Sequence, residues 1–436
     1  MIDSSVLKLQ KMKAKVLTVL AVFSMISLGG IAQGFNNESG FGLNGYKSFG
    51  FQNTYEPDRR PKFSFVSPSE NGIYEMPSQV VINKMTCTDE ITSEQVQLIF
   101  DIAKEFPEHT EISIAFINNG LVFFYGLKRD NSTILNIDNH SSVFEIGSIT
   151  KVFTATLLAN YVNDGTLEIE DPINNYLPFN MHDNIQISFK ELANHTSGLP
   201  RIPSNMMVPS ILSSRNPYKD YSDLKLEKYL MRKVKVTDQP ESFVYSNLGF
   251  GLLGYTLSKI ENKSYNDLLH QKIFSKFGMT NSSTVRSEPE SDLVRGLNKN
   301  GSKTPNWDFA SLESAGAILS TTEDLSKFAV AQFDETDKDL ALTRELTFSI
   351  NENEAIGLGW FIYMARSGEV LYRHKGVTRG YTSAMIIDTE NRTGIIILSN
   401  VSGVSKKIGN IDTLCFDLLA TFSKNKYYKA EPQSRN

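Results

Sequence analysis

The sequence predicts an α/β (α+β) domain: an antiparallel sheet flanked by helices, next to an all-helical subdomain. β-Rich segments lie towards both ends of the chain, in "EISIAFINNGLVFFYGLKR" at 111–129 and in "GEVLYRHKG" and "SAMIIDTENRTGIIILSN" between 368 and 400. Between them, over about two hundred residues, apolar residues recur mostly at helical spacing. Because antiparallel neighbours need not be neighbours in sequence, one sheet built from both ends with a helical insertion is the economical arrangement.

The first 32 residues are typical of a signal peptide. Four lysines between Lys8 and Lys15 precede an apolar run at 16–28, and Gly30-Ile31-Ala32 is a small-x-small cleavage pattern. The apolar run is shorter than the ~20 residues that a membrane-spanning helix needs, which disfavours an uncleaved anchor. We therefore expect an exported protein, periplasmic or secreted, with no stable membrane span after cleavage.

The rest of the chain divides into three parts. Residues 33–88 are rich in Gly, Asn, Ser and Pro without a sustained period, and are predicted to be extended or partly disordered. The folded domain is predicted over 89–426, beginning with a helix behind the Thr92-x-x-Gln95 capping pattern and ending with a helix in "NIDTLCFDLLATF". Residues 427–436 are a predicted C-terminal tail.

Composition excludes several classes of protein. The 436 residues carry 44 Lys and Arg against 49 Asp and Glu, a formal charge of −5, and loss of residues 1–32 removes four lysines and one aspartate to give −8. We therefore expect no nucleic-acid partner. Cys87 and Cys415 are too few for a disulfide scaffold; one bridge between the chain ends is an alternative to the favoured two isolated thiols.

The stretch "FEIGSITKVF" places Ser148 three residues before Lys151 at the start of a predicted helix. This spacing puts the amine one turn away on the same helix face as the hydroxyl, where a lysine of lowered pKa can take the serine proton. The pattern alone is weak evidence, because the same spacing occurs at Ser5, Ser222 and Ser423. Whether Ser148 is a nucleophile therefore has to be judged from the motifs that follow it along the chain.

Two later elements complete an ordered set: Tyr245-Ser246-Asn247 and His374-Lys375-Gly376. The order Ser-x-x-Lys, Tyr-x-Asn, then basic residue-x-Gly resembles the serine β-lactamase and penicillin-binding protein family, in particular its class C β-lactamase and D-alanyl-D-alanine carboxypeptidase/esterase branch. Further segments that look like family segments are "LANHTSGLPR", "DPINNYLP", "SAGAILSTTEDLSKFA" and "IGLGWFI". The resemblance implies the serine β-lactamase-like fold over about Ile91 to Phe422.

The resemblance also implies roles for individual residues. Ser148 is the nucleophile, Lys151 accepts its proton, Tyr245 relays a proton to the leaving group, and Asn247 hydrogen-bonds the substrate amide. The backbone N–H groups of Ser148 and Val377 form the oxyanion hole. The phenol of Tyr245 would be useful as a base only if its surroundings lowered its pKa from about 10.

The third motif departs from the family's commonest form, in which a lysine comes first. Side chains alternate faces along a strand, so if the position two before Gly376 faces the site, His374 does so and Lys375 points away. His374 would then be the cation that meets a substrate carboxylate, but it would be protonated in only a fraction of the molecules at neutral pH, since an unperturbed histidine has a pKa near 6.5. Arg379 is an alternative carboxylate anchor.

Other candidate residues and site types carry less weight. His195, in "NHTSGLP", is interpreted as a structural loop residue rather than a catalytic base, and Tyr161-Val162-Asn163 lies some three turns along the helix, too far to reach the hydroxyl of Ser148. The sequence has no Gly-x-Ser-x-Gly elbow, no His-Glu-x-x-His and no Gly-x-x-x-x-Gly-Lys loop. We expect no metal and no cofactor.

The sequence leaves the substrate open. A D-Ala-D-Ala carboxypeptidase-like enzyme acting on cell-wall peptides is favoured, and a carboxylesterase and a class C type β-lactamase share its acylation chemistry. A non-catalytic penicillin- or peptide-binding module is the alternative of another class; its sequence signature would be the loss of Ser148, Lys151 or Tyr245, all of which are present.

Overall fold

A computed structural model of the chain describes residues 80–206, 216–237, 242–286, 293–365, 368–403, 405 and 409–428. The predicted signal peptide, most of the segment predicted to be extended and nearly all of the predicted C-terminal tail lie outside these residues. Within the described ranges, no helix combines the length and apolar character that crossing a membrane requires.

The structure describes twelve strands. Their bounds are β1 Ile82–Asn83, β2 Glu111–Asn118, β3 Leu121–Asp130, β4 Thr133–Ile137, β5 Phe144–Glu145, β6 Leu319–Ser320, β7 Phe348–Ser349, β8 Glu354–Ile356, β9 Phe361–Met364, β10 Val370–Val377, β11 Thr382–Asp388 and β12 Thr393–Ser399. The described strands make one ten-stranded sheet in the order β1-β4-β3-β2-β12-β11-β10-β9-β8-β7, and β5 pairs with β6 separately.

The prediction of one sheet built from both ends of the chain is confirmed. The early strand β2 pairs antiparallel with the late strand β12, so that Ile114 lies opposite Ile397. Every neighbour in the ten-stranded sheet is antiparallel except β1, which pairs with β4 in parallel. β1 lies within the segment predicted to be extended, so the sheet begins seven residues before residue 89, the predicted start of the domain.

Helices make up most of the regular secondary structure described between β5 and β7. The helix bounds are α1 Ser93–Ala103, α2 Thr150–Asn163, α3 Phe189–Ala193, α4 Asp223–Arg232, α5 Asn247–Glu261, α6 Tyr265–Leu269, α7 Ser275–Phe277, α8 Thr322–Ala331, α9 Lys338–Arg344 and α10 Gly409–Tyr428. A π-helical segment, His270–Phe274, joins α6 to α7. The predicted capping pattern at Thr92 is present as a reciprocal pair of hydrogen bonds with Gln95.

Alternation along the strands gives the sheet two apolar faces. Ile395 and Ile397 of β12 belong to the core beneath α1 and α10, whereas Ile396 and Leu398 belong to the core shared with the helical insertion. Both faces of the central strands are therefore buried, which explains the nearly continuous apolar runs in their sequence. The position of a residue in this alternation decides which core its side chain enters.

The two cysteines are separate. Cys415 is buried in α10, and Cys87 is exposed. The structure therefore has two free thiols in place of the bridge that was the alternative.

Truncation of Ile397 should test the double-sided core. This side chain is fully buried, so Ile397→Ala is expected to lower the free energy of unfolding by about 2–5 kcal/mol. Leu121→Ala, at a residue that is 64% exposed, is the control and should change it by less than about 0.5 kcal/mol. Urea denaturation of both variants measures the difference, and equal effects would contradict the packing described.

Candidate active site

Ser148 lies on a short turn that rests against strand β10. The turn is the 3₁₀ segment Gly147–Ile149, which leads directly into α2. Gly147 has a φ of +52°, a conformation that favours glycine. On the strand, a Cβ added to Gly376 would lie 1.8 Å from the Ile146 carbonyl oxygen, so only glycine allows this close approach.

The predicted oxyanion donors lie side by side. A Cβ on Gly147 would lie 2.7 Å from the Val377 nitrogen, which places the backbone of Ser148 next to that of Val377. The Thr378 N–H donates to Tyr381 on the β11 side, so by antiparallel alternation the Val377 N–H points away from β11. On that side β9 pairs with β10 only along Val370–Arg373. The Val377 N–H thus faces the turn that carries Ser148.

Lys151 is fully buried at the base of the site. Its Nζ lies 3.1 Å from Ser148 Oγ, 2.9 Å from Asn247 Oδ1 and 2.7 Å from the Ala315 carbonyl oxygen. Burial lowers the pKa of Lys151 well below its usual range, and the charge of Arg201 acts in the same direction. A neutral amine has two hydrogens, which the two carbonyl oxygens can accept. Its lone pair is then left for the Ser148 hydroxyl.

Tyr245 lies at the centre of the site. The centre of its ring is 5.0 Å from Lys151 Nζ and 5.0 Å from Arg201 Cζ. Burial raises the pKa of Tyr245 to about 12, while hydrogen bonding with the Ser148 side chain and the charge of Arg201 oppose the shift. The surroundings therefore do not lower the tyrosine pKa as its use as a base would require. At neutral pH Tyr245 is a protonated phenol, able to donate a hydrogen bond or a proton.

Asn247 is held on two sides. Its Oδ1 accepts from Lys151, and its Nδ2 donates to the Tyr218 hydroxyl over 3.1 Å. The Tyr218 ring stacks on Phe309 at 4.5 Å. Asn247 begins α5, so the helix fixes its backbone while the stacked Tyr218 fixes its side chain.

The segment before Phe309 is tied to the strand that precedes Ser148. Glu145 Oε1 accepts from the Trp307 backbone N–H at 2.9 Å and from Asn306 Nδ2 at 2.8 Å. Burial raises the pKa of Glu145 to about 7. This carboxyl group thus links the nucleophile turn to the aromatic wall of the site.

The register predicted for the third motif is the one observed. His374 faces the side of the helical insertion and is buried, whereas Lys375 is on the other face, where it pairs with Asp412 of α10 at 3.2 Å. Arg373, also on that other face, pairs with Glu354 and Asp412. Neither of these two cations is directed at the site.

The predicted charge of His374 is wrong. Burial lowers the pKa of His374 to about 3, so the imidazole is neutral at physiological pH. Its Nδ1 lies 3.0 Å from the Lys375 carbonyl oxygen, which can only accept, so Nδ1 carries the proton. The buried Nε2 keeps its lone pair and has no hydrogen-bond partner among the described residues. His374 presents an acceptor rather than a cation.

His195 has the position of a supporting residue. Its ring packs against Tyr245 with centroids 4.3 Å apart, and its Nδ1 accepts from the Ser246 backbone N–H over 3.1 Å. It is fully buried, and burial lowers its pKa well below 6.5. This neutral histidine fixes the backbone of the Tyr-x-Asn motif, as a structural loop role implies.

Sequence reasoning missed two groups at the site. The Ala315 carbonyl is a backbone atom with no side-chain signature. Arg201 directly follows the "HTSGLP" segment, and this position next to a family-like segment is the signal by which the sequence could have indicated it.

Among the described residues, the second Tyr-x-Asn and a metal site play no part in the site. Asn163 of that second motif donates to Asp339 at the far end of α2. Within the part of the chain that the structure describes, no three His, Cys, Asp or Glu side chains are grouped so as to hold a metal ion.

Comparison with known proteins identifies the family of the chain. The family model named Beta-lactamase matches residues 105–413. The chain belongs to the β-lactamase family. The family's serine-hydrolase fold accounts for the sheet, the helical insertion and Ser148 between them.

Individual relatives of this β-lactamase family member are distant. Protein flp of Staphylococcus aureus (strain NCTC 8325 / PS 47) is 26% identical over 322 residues, 69% of this chain and 62% of the relative, so the match spans about three fifths of that protein's length. An octameric penicillin-binding protein homologue from Pyrococcus abyssi matches at 23% identity and a TM-score of 0.65, over 76% of this chain and 77% of that one. A β-lactamase/D-alanine carboxypeptidase from Yersinia pestis matches at 22% identity and 0.63, over 75% and 96%. At these identities the solved structures show the fold alone.

The close contact at Gly376 predicts a large effect from one methyl group. Gly376→Ala should displace the Ile146 carbonyl and, with it, Ser148. The free energy of unfolding should fall by about 1–3 kcal/mol, and the rate of ester hydrolysis should fall more than tenfold. Gly409→Ala is the matched control, because its added methyl meets nothing within 4 Å. Thermal or urea unfolding and steady-state kinetics measure both effects; wild-type activity in Gly376→Ala would disprove the contact.

The neutral state of His374 predicts how stability depends on pH. Below pH 6.5 the unfolded chain protonates this histidine, while the folded protein does not until about pH 3. The unfolded state therefore binds more protons, and stability falls as the pH falls from about 7 towards 3. His374→Asn should remove part of this loss, which denaturation at pH 7 and at pH 4.5 would measure. An unchanged difference between the two pH values would contradict the assignment.

Proposed function

We propose that the protein is an exported serine hydrolase that forms a Ser148 acyl-enzyme and acts on D-amino-acid peptides of the cell wall, as a D-Ala-D-Ala carboxypeptidase-like enzyme. The observation that carries the chemistry is the set of contacts of the buried Lys151 amine. Two carbonyl oxygens, of the Asn247 side chain and of Ala315, can accept its two hydrogens, and its third contact is with Ser148 Oγ. The fold family supports hydrolysis in general, and the choice of substrate is the part that we propose.

The acylation step follows from this arrangement. Lys151 takes the Ser148 proton, and Oγ bonds to the substrate carbonyl, whose oxygen receives hydrogen bonds from the Ser148 and Val377 N–H groups. When the bond to the leaving group breaks, the phenol of Tyr245 gives that group its proton and is reprotonated by Lys151. Water then hydrolyses the ester and regenerates Ser148. The serine proton has passed to the leaving group, so the proton balance closes.

One contact at the site and one prediction from the sequence support peptide substrates. Asn247 lies beside Lys151 and can meet the amide of an acyl chain, as the family resemblance implies. Export, inferred from residues 1–32, would place the enzyme where peptidoglycan peptides occur. The β-lactamase/D-alanine carboxypeptidase from Yersinia pestis shares the fold.

A carboxylesterase is the second candidate, and one observation favours it. His374 stands where the family more commonly has lysine, and it is neutral. A site without a cation on this strand depends less on a substrate carboxylate, which suits a neutral ester. A class C type β-lactamase would use the same acylation step and differ in how fast the acyl group is released.

Intact-protein mass after addition of a penicillin tests the nucleophile. We expect the wild type to gain one penicillin mass and Ser148→Ala to gain none, because only Oγ can form the ester. Ser222→Ala is the matched control, since Ser222 has the same Ser-x-x-Lys spacing but is exposed and its Lys225 donates to the Asp220 carbonyl. This variant should acylate like the wild type.

The lifetime of the adduct separates the candidates. A long-lived adduct supports the carboxypeptidase-like enzyme, and rapid clearance with turnover supports a β-lactamase. Hydrolysis of a simple ester that is abolished by Ser148→Ala, without any penicillin adduct, supports the esterase. Retention of hydrolysis in Ser148→Ala would refute the acyl-enzyme itself.

A further inference from the structure

We propose that Arg201 binds a carboxylate carried by the leaving-group portion of the substrate, a role that rests on the acyl-enzyme function proposed above. The cation that recognises the substrate would then come from the helical insertion rather than from the third strand motif. This assigns the enzyme to substrates whose departing fragment is an anion.

Arg201 is placed where the leaving group must depart. Its guanidinium Cζ lies 5.0 Å from the centre of the Tyr245 ring, and the Tyr245 phenol is the proton donor to that group. The Arg201 side chain is exposed, whereas Lys151 and His374 are buried. An anion beside the bond that breaks can therefore reach the guanidinium without entering the base of the site.

The electrostatic influence of Arg201 reaches the whole site. Its positive charge adds to the burial that lowers the pKa of Lys151 and of His195, and it opposes the burial that raises the pKa of the Tyr218 and Tyr245 phenols. Arg201 forms no ion pair with a carboxylate among the described residues. A substrate anion would supply the missing negative charge.

The other cations around the third motif are turned away. Lys375 and Arg373 both pair with Asp412 on the α10 face of the sheet, and His374 is neutral. The structure places Arg201, rather than Arg379, over the Tyr245 ring. Strand β10 therefore offers the site an uncharged acceptor, and the charge has to come from elsewhere.

The backbone holds Arg201 in register with the catalytic residues. Its carbonyl oxygen accepts from the Asn247 N–H at 2.9 Å and from the Leu248 N–H at 3.2 Å, at the start of α5. The preceding residue, Pro200, is held in the same way: its carbonyl oxygen accepts from Ser246 Oγ at 2.7 Å. Arg201 is thus fixed to the Tyr245–Asn247 segment, as a specificity residue must be.

Two substrates share the required chemistry. One is a peptide or depsipeptide whose departing residue carries the C-terminal carboxylate; the other is a bicyclic β-lactam, whose carboxylate lies on the fused ring, on the carbon next to the nitrogen released when Ser148 opens the lactam. A guanidinium can bind either carboxylate by a bidentate pair of hydrogen bonds. In both, the carboxylate lies on the side of the broken bond that Tyr245 protonates.

The experiment compares each acid with its uncharged analogue. The kcat/KM for N-acetyl-D-alanyl-D-lactate is divided by that for its primary amide, and the acylation rate of a penicillin is divided by that of its methyl ester. Both members of a pair use the same Ser148, Lys151 and Tyr245. The ratio therefore cancels any effect of Arg201 on the reactivity of those groups.

Arg201→Gln should lower at least one ratio by about tenfold to a hundredfold, the usual worth of a hydrogen bond to a charged group. Arg201→Lys should restore part of it, because the charge remains but the bidentate geometry is lost. Lys375→Gln, on the opposite face, is the matched control and should leave both ratios as in the wild type. A fall in the lactate ratio alone identifies the peptide source, and a fall in the penicillin ratio alone identifies the β-lactam source.

Ratios that stay at the wild-type value in Arg201→Gln, while the uncharged substrates still react, would overturn the role of Arg201 and leave the acyl-enzyme intact. A fall in Lys375→Gln instead would overturn it in favour of the strand motif. If wild-type protein reacts with none of the four compounds, the proposed function fails, and this inference fails with it.

Discussion

The amine of Lys151 is the interaction on which the rest of the site depends. An ammonium ion buried here without a carboxylate partner would be costly, so burial lowers the pKa of Lys151 and favours its neutral form. It joins three parts of the chain that are far apart in sequence: Ser148 at the start of α2, Asn247 at the start of α5 and the Ala315 carbonyl. The helical insertion has to pack so that these acceptors meet at one point. The position of the nucleophile is thereby a consequence of the core.

Strand β10 places the second half of the site. The alternation of its side chains directs His374 to the site and directs Arg373 and Lys375 to α10. Gly376 and Gly147 remove the two side chains that would separate the strand from the nucleophile turn. Because no side chain stands between them, the backbone N–H groups of Ser148 and Val377 come together, and no catalytic side chain is needed for this part of the site. Glycine at both positions is therefore a requirement of the chemistry as well as of the fold.

The site keeps few charges of its own. Burial favours the neutral forms of Lys151, Tyr245, His195 and His374, the ionisable groups nearest Ser148, before substrate binds. The guanidinium of Arg201 lies at the exposed rim, and its positive charge still acts on the buried groups below it. The charge of Arg201 favours the neutral base and offers a place for an anion. Both effects would help a reaction in which a neutral base activates serine and an anionic fragment departs.

The sequence by itself determined the fold class and the order of its elements, because periodicity is a local property of the chain, and its resemblance to a known family indicated the Ser148, Tyr245 and His374 motifs. Alternation along one strand was also enough to predict that His374 and Lys375 face opposite sides. Only the tertiary structure decided the charge of His374, the raised pKa of Tyr245 and the position of Arg201. Each of these depends on burial and on neighbours distant in sequence, such as Arg201 over the Tyr245 ring. Local patterns fix which groups are available, and three-dimensional packing fixes which of them carry a proton.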